Sequence, residues 1–397
     1  MPEDSSVRPS HTQRTPAWYW LLLGATALVL FWAAWKVGYA PATPVKVELL
    51  PFTNSPPAWN GSYPYLVISP IESGPESVAF KSSIQEIAPT VQHDAPVNEF
   101  QVDLHRGMFL LRQTDLFVPG ILPLSLTRTY RVWGSNSRAF GIGANHPYDI
   151  CPTGTRFPYT YMSLNLEDDQ YLYFPRISKG TGFADAVYRH EQTSSEFYGA
   201  QIHWNGDGWT LDFSDGRRYL FPEAYNAKSF AQGAPIEIQD AKGHRILLKR
   251  DQDRDLEMLV SPSGRTIRFK YDSVHRIIEA ADDAGNIRRY TYETSGHVET
   301  VSDASHLLYR FEYKPLIHAA GFDPYVMTSV TDGRGMVLIT NSYDDLGRIA
   351  EQRLADGEVF RYDYLFDRKF NIIETTVTGP TGKRTFHFVD GVVTKEE

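Results

Sequence analysis

The chain has 397 residues, a formal net charge of −9 and a single cysteine, Cys151. One cysteine excludes an intrachain disulfide and a zinc site built from cysteines. No Lys/Arg cluster supplies the basic groove that a nucleic-acid partner requires. Aromatic residues make up 13% of the chain, which also holds 29 Gly and 25 Pro. Aromatics favour strands and Gly and Pro favour turns, so the composition favours a mainly β protein.

A transmembrane helix is predicted near the N-terminus. Residues 17–35 read AWYWLLLGATALVLFWAAW and carry no charge. A helix of this length spans about 28 Å, which matches the hydrocarbon core of a bilayer. Aromatic residues stand at both ends, as they do where a helix meets the two membrane interfaces. We therefore predict a polar tail over 1–16 and a helix over 17–36 that contacts the lipid bilayer.

A cleaved signal peptide is the competing interpretation of this segment. Such a peptide has a shorter apolar region, followed by a small-x-small cleavage site. The nearest candidate here, Gly38-Tyr39-Ala40, precedes Pro41 and suits cleavage poorly. The positive charges on the two sides of the helix nearly balance, so they do not set its orientation. A short tail precedes the helix and most of the chain follows it, which is the arrangement of a signal anchor. We expect a single-pass membrane protein with its C-terminal part outside the cytoplasm.

The segment over 37–96 is predicted to be a Pro-rich linker. It contains ten of the 25 prolines, a density that blocks regular helices and central strands. Strand-like runs begin near residue 97. In the run Leu124 to Tyr130, Leu124 and Leu126 share one face and Ser125 and Thr127 the other, so we expect a half-buried strand. We assign 97–205 to a β domain.

An internal repeat occupies the predicted array over 206–397. In each unit a glycine turn is followed by bulky residues five and seven positions later, which predicts a β-hairpin of about 20–25 residues. A single hairpin cannot bury its aromatic face, so the units are expected to stack. The clearest copies are Gly264 with Phe269 and Tyr271, Gly285 with Tyr290 and Tyr292, and Gly357 with Tyr362 and Tyr364.

A second signature, Y-D-x-x-x-R-I, lies at the ends of two of these strands. It predicts a strand, a turn opened by Asp, and a return strand. One copy has Tyr271, Asp272, Arg276 and Ile277; the other has Tyr343, Asp344, Arg348 and Ile349.

These two signatures resemble the YD repeats of Rhs proteins, teneurins and bacterial wall-associated toxins. The runs Val102 to Phe109, Thr114 to Gly120 and Leu124 to Tyr130 resemble the domain that precedes the repeats in Rhs-type toxins. The usual Gly-x-Gly-Trp continuation departs here, because Phe140-Gly141-Ile142-Gly143 is followed by Ala144. The resemblance implies a mainly β fold of tandem YD-repeat hairpins that form a curved or spiralling sheet.

In the family the sheet forms a shell around a C-terminal toxin. This chain has about seven recognisable units and reaches Glu397 without the cleavage motif that usually precedes the toxin. Three alternatives stay open: a truncated gene, one half of a split shell, or a small self-standing relative. The strand-like end, Thr385 to Val389, would leave an open sheet edge. That edge predicts a partner, such as a second YD-repeat chain, a toxin domain or another copy.

No catalytic constellation, metal site or cofactor motif is found in the sequence. His146, Asp149 and Cys151 are close along the chain, but a Cys/His dyad assembles in space, so Cys151 is expected to be a small buried side chain. The run Asp251 to Asp255 alternates Asp without the Gly and Glu of an EF-hand, so we expect a solvated loop rather than a calcium site. Trp204 and Trp209 are the candidates for a glycan-binding face.

Three functions are weighed on this basis. The first is a non-enzymatic, membrane-anchored YD-repeat scaffold or shell fragment of an Rhs-type toxin system. The second is an envelope-tethered surface module that binds glycans or a partner protein. The third, a glycan hydrolase, requires two carboxylates at a cleft, and the sequence offers no such pair.

Overall fold

The computed structural model describes residues 101–132, 137–192, 195–224, 227–316, 325–389 and 391–397. Within these ranges, no helix is long and apolar enough to cross a membrane. The predicted polar tail (1–16), transmembrane helix (17–36) and Pro-rich linker (37–96) lie outside the described residues and stay predictions.

Nearly all regular structure in the described ranges is β-strand, which confirms the mainly β prediction. The strands are β1 (Val102–Asp103), β2 (Met108–Val118), β3 (Leu124–Arg131), β4 (Ser137–Arg138), β5 (Gly141–Ile142), β6 (Ala144–Asn145), β7 (Cys151–Gly154), β8 (Tyr161–Asn165), β9 (Tyr171–Pro175), β10 (Val187–Arg189), β11 (Gln201–Trp204), β12 (Gly208–Asp212), β13 (Arg218–Pro222), β14 (Glu237–Gln239), β15 (Arg245–Arg250), β16 (Leu256–Val260), β17 (Thr266–Tyr271), β18 (Ile277–Asp282), β19 (Ile287–Tyr292), β20 (Val298–Ser302), β21 (Leu307–Pro315), β22 (Tyr325–Asp332), β23 (Val337–Tyr343), β24 (Ile349–Leu354), β25 (Val359–Phe366), β26 (Ile372–Gly379), β27 (Gly382–Val389) and β28 (Val392–Glu396). A 3₁₀ turn (Pro147–Asp149) and a short helix α1 (Phe230–Gly233) complete the elements.

The strands fall into two parts. Strands β10 to β28 form one 19-stranded sheet in chain order, and we call it the repeat sheet. Each strand in it pairs antiparallel with the next, as tandem hairpins require. The first nine strands form three small sheets, β1-β2-β3-β6, β4-β5 and β7-β8-β9, and we call them the β1–β9 domain. The repeat sheet begins at Val187, earlier than the predicted start of the array at residue 206.

The strands of the repeat sheet are half-buried because their side chains alternate between the two faces. In β17, Ile267 and Phe269 are buried while Arg268 and Lys270 are exposed. This period of two is what a sheet with one covered face requires. The bulky residues from which the hairpins were predicted are therefore the residues that the structure buries.

Strand β3 departs from the half-buried prediction, because both of its faces are covered. Ser125 and Thr129, on the face expected to be solvated, are 5% and 1% exposed. The Tyr148 hydroxyl donates to the Ser125 carbonyl at 2.7 Å. On the opposite face, the Tyr130 hydroxyl accepts a hydrogen bond from the Met327 amide at 3.0 Å. Neighbouring elements therefore cover the strand from both sides.

The repeat sheet curves around the β1–β9 domain. Strands as far apart as β15 and β26 both contact this domain, and eleven strand spacings separate them. In a flat sheet that separation would be about 53 Å at about 4.8 Å per spacing, whereas the 11 residues of β2 extend only about 37 Å. The contacts are Arg250 Nη1 to Asp149 Oδ1 (3.1 Å), Ile277 N to Ala139 O (2.7 Å), Ile142 N to Gly296 O (3.1 Å), Ile349 N to Gly107 O (2.7 Å) and Thr375 Oγ1 to Leu104 O (2.6 Å).

One of these contacts depends on the absence of a side chain. Gly141 has a φ of +76°, a left-handed conformation that favours glycine. A Cβ built on Gly141 would lie 2.1 Å from the Gly296 carbonyl oxygen. Gly141 is thus required both by its backbone conformation and by the close approach of the repeat sheet.

We expect Gly141→Ala to destabilise the protein more than Gly264→Ala does. Both positions have positive φ, which costs an L-residue about 1–2 kcal/mol. Only position 141 adds a clash with the neighbouring backbone, because a Cβ on Gly264 meets nothing within 4 Å. The loss at position 141 should reach about 3 kcal/mol or more. Thermal unfolding of both variants measures the difference, and equal losses would contradict the close contact.

Candidate functional site

The Asp-opened turns predicted from Y-D-x-x-x-R-I are present in both copies. The Asp272 carboxylate accepts the backbone amides of Val274 and Arg276, each at 3.0 Å. Arg276 Nε donates to the other Asp272 oxygen at 2.8 Å. Asp344 and Arg348 repeat this arrangement, with Nε to Oδ2 at 2.6 Å. The signature Asp and Arg therefore build turns at one rim of the repeat sheet.

Each signature Arg also connects its unit to the next hairpin. The Arg276 guanidinium lies over the ring of Tyr292, 4.2 Å from its centroid. Arg348 lies over Tyr364 at 5.2 Å. A cation over an aromatic face contributes about 0.5–2 kcal/mol, depending on burial. The Y-D-x-x-x-R-I signature thus stabilises one turn and its contact with the following unit.

The tyrosines at strand ends form a second connection between units. The hydroxyl of each of these tyrosines donates to a carbonyl 15 or 16 residues earlier in the chain. Burial raises the pKa of the hydroxyl in Tyr271, Tyr292, Tyr343 and Tyr364, so each keeps the proton that it donates. Tyr362, which the sequence analysis singled out, occupies the buried position two residues earlier and is 5% exposed. The bonds are Tyr271 to Leu256 (3.1 Å), Tyr292 to Ile277 (2.5 Å), Tyr313 to Val298 (3.0 Å), Tyr343 to Met327 (2.5 Å) and Tyr364 to Ile349 (2.7 Å).

The predicted glycine turns lie at the other rim. Gly264, Gly285 and Gly357 all have positive φ, and their amides donate back to the residue three positions earlier. Tyr313 also belongs to the tyrosine series, although the sequence pattern did not single it out. The step of 15 or 16 residues from the hydroxyl to its carbonyl is the signal that would have found it.

A buried charged group joins β2 and β3 to the repeat sheet. Arg128 Nε donates to Asp115 at 3.1 Å, and the side chains are 1% and 2% exposed. The Tyr290 hydroxyl, from β19, donates to the same carboxylate at 3.0 Å. Arg128 also donates to Gln113 at 2.6 Å. Since all four side chains are shielded from water, removing one leaves a buried charge without its full set of partners.

A second buried cluster of charges lies within the β1–β9 domain. Arg131 pairs with Asp103 and lies 3.9 Å from Asp168. Glu167, 4% exposed, adjoins this cluster. Burial, reinforced by the charge of Asp168, raises the pKa of Glu167 from 4.5 to about 7. The cluster therefore contains a carboxyl that changes its charge near neutral pH.

The two tryptophans proposed for glycan binding differ in access. They pair across β11 and β12, with their rings 5.2 Å apart. Trp209 is 1% exposed, and its indole N–H donates to Glu223 at 2.6 Å. Trp204 is half-buried. A sugar could therefore reach Trp204, whereas Trp209 packs in the core.

The other side chains considered in the sequence are Cys151, His146 and Asp251, and each is held by contacts within the fold. Cys151 is buried, as expected, and burial raises the pKa of its thiol to about 12. Its Sγ donates to the Pro152 carbonyl at 3.7 Å. His146 is fully buried among aromatic rings, and burial lowers its pKa. Asp251 accepts the amides of Asp253 and Asp255 in its own loop. Across the described ranges, no group of three or more His, Cys, Asp or Glu side chains could hold a metal ion.

One family model matches part of the chain. Residues 100–170 match the family described as "Domain of unknown function (DUF6531)". The matched range lies wholly inside the segment over 97–205 that was predicted to be the β domain before the repeats, and it is consistent with the Rhs-type resemblance. No curated protein matches the chain.

Several solved structures are similar to the chain at low identity. The crystal structure of TcdB2-TccC3 is 12% identical with a TM-score of 0.30, and the match covers 78% of this chain and 17% of that one. The form without the hypervariable C-terminal region gives 13% identity, a TM-score of 0.30, and coverages of 68% and 15%. The Photorhabdus luminescens Tc holotoxin pore gives 12% identity, a TM-score of 0.17, and coverages of 68% and 15%.

The chain thus spans about 15–17% of the length of these toxin-complex chains.

We expect Arg128→Met to cost about 3–5 kcal/mol of stability, because it leaves the Asp115 carboxylate buried. The double variant Asp115→Asn/Arg128→Met should lose less than the sum of the two single variants. Lys270→Met is the control, since its pair with Glu279 is 71% exposed at the lysine and should cost less than about 1 kcal/mol. Urea unfolding measures all four, and a cost below that of the control for Arg128→Met would contradict the assignment.

Stability should depend on pH through Glu167. Folding raises its pKa, so the native chain keeps a proton that the unfolded chain loses above pH 4.5. This contribution is complete below pH 4.5 and is lost as the pH rises through about 7. Glu167→Gln, which cannot ionise, should show a flatter profile of Tm against pH over this window. Glu257→Gln, at an exposed position, is the control; a wild-type profile as flat as that of Glu167→Gln would refute the shift.

Proposed function

We propose that the chain is a non-enzymatic scaffold or shell fragment of an Rhs-type toxin system, anchored in a membrane by residues 17–36. The observation that carries the proposal is the repeat sheet, whose 19 consecutive strands curve around a domain that matches DUF6531. The repeat-signature side chains are used for turns and for contacts between units. This arrangement supports a role in which the sheet holds or encloses other groups.

The outer edge of β28 offers backbone groups that a further strand could pair with. Strand β28 pairs with β27 on one side, and no other strand of the described ranges pairs with it. Thr385 and Glu397 exchange both backbone hydrogen bonds, at 2.8 and 2.9 Å. Because amides alternate in direction along an antiparallel strand, the Glu396 amide points to the open side. A second YD-repeat chain or a toxin domain could add a strand there.

The membrane orientation belongs to the same proposal, with the C-terminal part outside the cytoplasm. Protease added to intact cells should then digest the part of the chain after residue 36. Full protection in intact cells, followed by digestion after lysis, would reverse the orientation.

Glycan binding at the cell envelope is the alternative function. Its support is the half-buried ring of Trp204, which packs edge-on against Phe183 with centroids 4.9 Å apart. Binding of cell-wall sugars that Trp204→Ala abolishes would favour this alternative over the scaffold.

The scaffold proposal predicts a complex through the edge of β28. We would purify the full chain in a mild detergent and measure its mass by light scattering, alone and with the product of the adjacent gene. Glu396→Pro removes the outward amide and should weaken the complex by at least about tenfold, since each tenfold is about 1.4 kcal/mol.

Glu396→Ala is the matched control, because both variants lose the ion pair with Arg384 and only proline removes the amide. The two variants should shift the Tm of the chain alone by the same amount. Absence of any complex, or a complex indifferent to Glu396→Pro, would contradict the proposed edge.

A further inference from the structure

Large apolar side chains are exposed at the rim of the repeat sheet that carries the Asp-opened turns, which we call the Asp rim. Alternate connections of an antiparallel sheet lie at the same rim, so the turns after β17, β23, β25 and β27 share it. The apolar residues of these turns include Val274 (55% exposed), Leu346 (67%), Phe370 (86%) and Val389 (60%). Apolar groups gathered on one side of a surface mark a contact with a protein or a membrane.

Phe370 is the most exposed of these residues, and its backbone conformation favours a different residue type. It has a φ of +64° in the turn opened by Asp367, where the equivalent position of the turn opened by Asp344 is Gly347. The two turns correspond, because in both the Asp carboxylate accepts the amides two and four residues later. A bulky residue in the left-handed region is unfavourable, and such strain is retained mainly at functional positions. The exposed ring gains no burial that would offset the strain.

Two cations precede the ring in the same turn. Arg368 and Lys369 are exposed, and neither forms an ion pair with a residue in the described ranges. The Asp367 carboxylate is occupied by its own turn, where it accepts the amides of Lys369 and Asn371 at 2.8 Å and Asn371 Nδ2 at 3.0 Å. An exposed apolar ring beside cations is the combination by which protein elements lie on an anionic membrane surface. We propose that the β25–β26 turn contacts an anionic phospholipid bilayer, with Phe370 inserted among the lipids and Arg368 and Lys369 at their phosphates.

The surrounding side chains favour a bilayer over a protein partner. Leu365 (53% exposed) and Ile373 (37%) lie on the two strands directly behind the turn, where they would follow Phe370 into the interface. Leu346 lies on a separate turn two strand spacings away, about 10 Å. A fluid bilayer can receive separate turns, whereas a protein interface needs a continuous, closely packed surface. Asp345 is exposed beside Leu346 and would repel anionic lipid, so the contact is centred on the β25–β26 turn.

This contact is additional to the helix predicted over 17–36, and its test measures the depth of the turn in a bilayer. Cys151 is 2% exposed, so a thiol-specific nitroxide label attaches only to an introduced cysteine. Phe370→Cys carries the label in place of the ring. Ala355→Cys, exposed in the turn between β24 and β25 at the opposite rim, is the control. The full chain is incorporated into vesicles of phosphatidylcholine with phosphatidylglycerol, or of phosphatidylcholine alone.

Collisions of the label with oxygen, which concentrates among the acyl chains, and with a water-soluble nickel chelate report its depth. In the anionic vesicles the label at position 370 should lie about 5–10 Å into the boundary of headgroups and acyl chains. The label at position 355 should stay in water in both vesicles. A label at position 370 that stays in water in the anionic vesicles would overturn the proposal, as would an equal depth in both vesicles.

The role of the two cations is tested in the chain labelled at position 370. Arg368→Gln/Lys369→Gln should lower the ratio of inserted to water-exposed label at least about tenfold in the anionic vesicles. Arg361→Gln/Lys383→Gln is the matched control, because it removes the same charge from exposed positions near the opposite rim. Equal insertion in the two double variants would contradict the assignment of the cations.

The role of the ring is tested by Phe370→Asn, because asparagine tolerates positive φ and lacks the apolar ring. The Tm of the full chain in a mild detergent should not fall. A label at Leu365→Cys, directly behind the turn, should become more accessible to the nickel chelate when Phe370→Asn is added. A lower Tm, or an unchanged accessibility at position 365, would overturn the proposal.

The two vesicle types also separate this contact from the proposed anchor. On neutral vesicles the chain is held only by the helix predicted over 17–36, so its release from them would contradict the anchor. A water-exposed label at position 370 on anionic vesicles that retain the chain would contradict this contact alone.

Discussion

A two-stranded hairpin exposes one face of its apolar residues to water, and each hairpin of the repeat sheet depends on its neighbours and on the β1–β9 domain to cover that face. The two Y-D-x-x-x-R-I copies show how this is achieved. In both, the signature isoleucine is fully buried, and its backbone amide donates to a carbonyl of the β1–β9 domain, Ala139 for Ile277 and Gly107 for Ile349. The signature therefore marks the points at which the sheet is bonded to the domain it surrounds.

The polar residues of the repeats act along the sheet rather than into a catalytic cleft. Asp builds a turn, Arg covers the next tyrosine, and the tyrosine hydroxyl reaches back to an earlier strand. Each unit is thus connected to the next by side chains as well as by the strand ladder. A sheet made in this way can extend by one hairpin at a time, as expected of repeat proteins whose units contact mainly their neighbours. This is the physical basis of the scaffold proposal.

Local features of the fold could be predicted from the sequence, and long-range ones could not. The glycine turn at Gly264 and the Asp turn at Asp272 each depend on a few adjacent residues, so their patterns were sufficient. The bond between Tyr290 and Asp115 joins residues 175 positions apart, and no local pattern reports it. The double-sided burial of β3 has the same origin, because alternation along a strand cannot reveal what covers its second face. Likewise, Trp204 and Trp209 read alike in sequence, and only tertiary packing separates them.

The repeat sheet and the β1–β9 domain should unfold as one cooperative unit, and native-state hydrogen exchange of the full chain measures whether they do. We expect the amides of Ile277 and Ile349 to exchange as slowly as those in β3, because all of them open only when the unit unfolds. Fast exchange at Ile277 and Ile349 beside slow exchange in β3 would contradict the claim, since the sheet would then open independently of the domain that it surrounds.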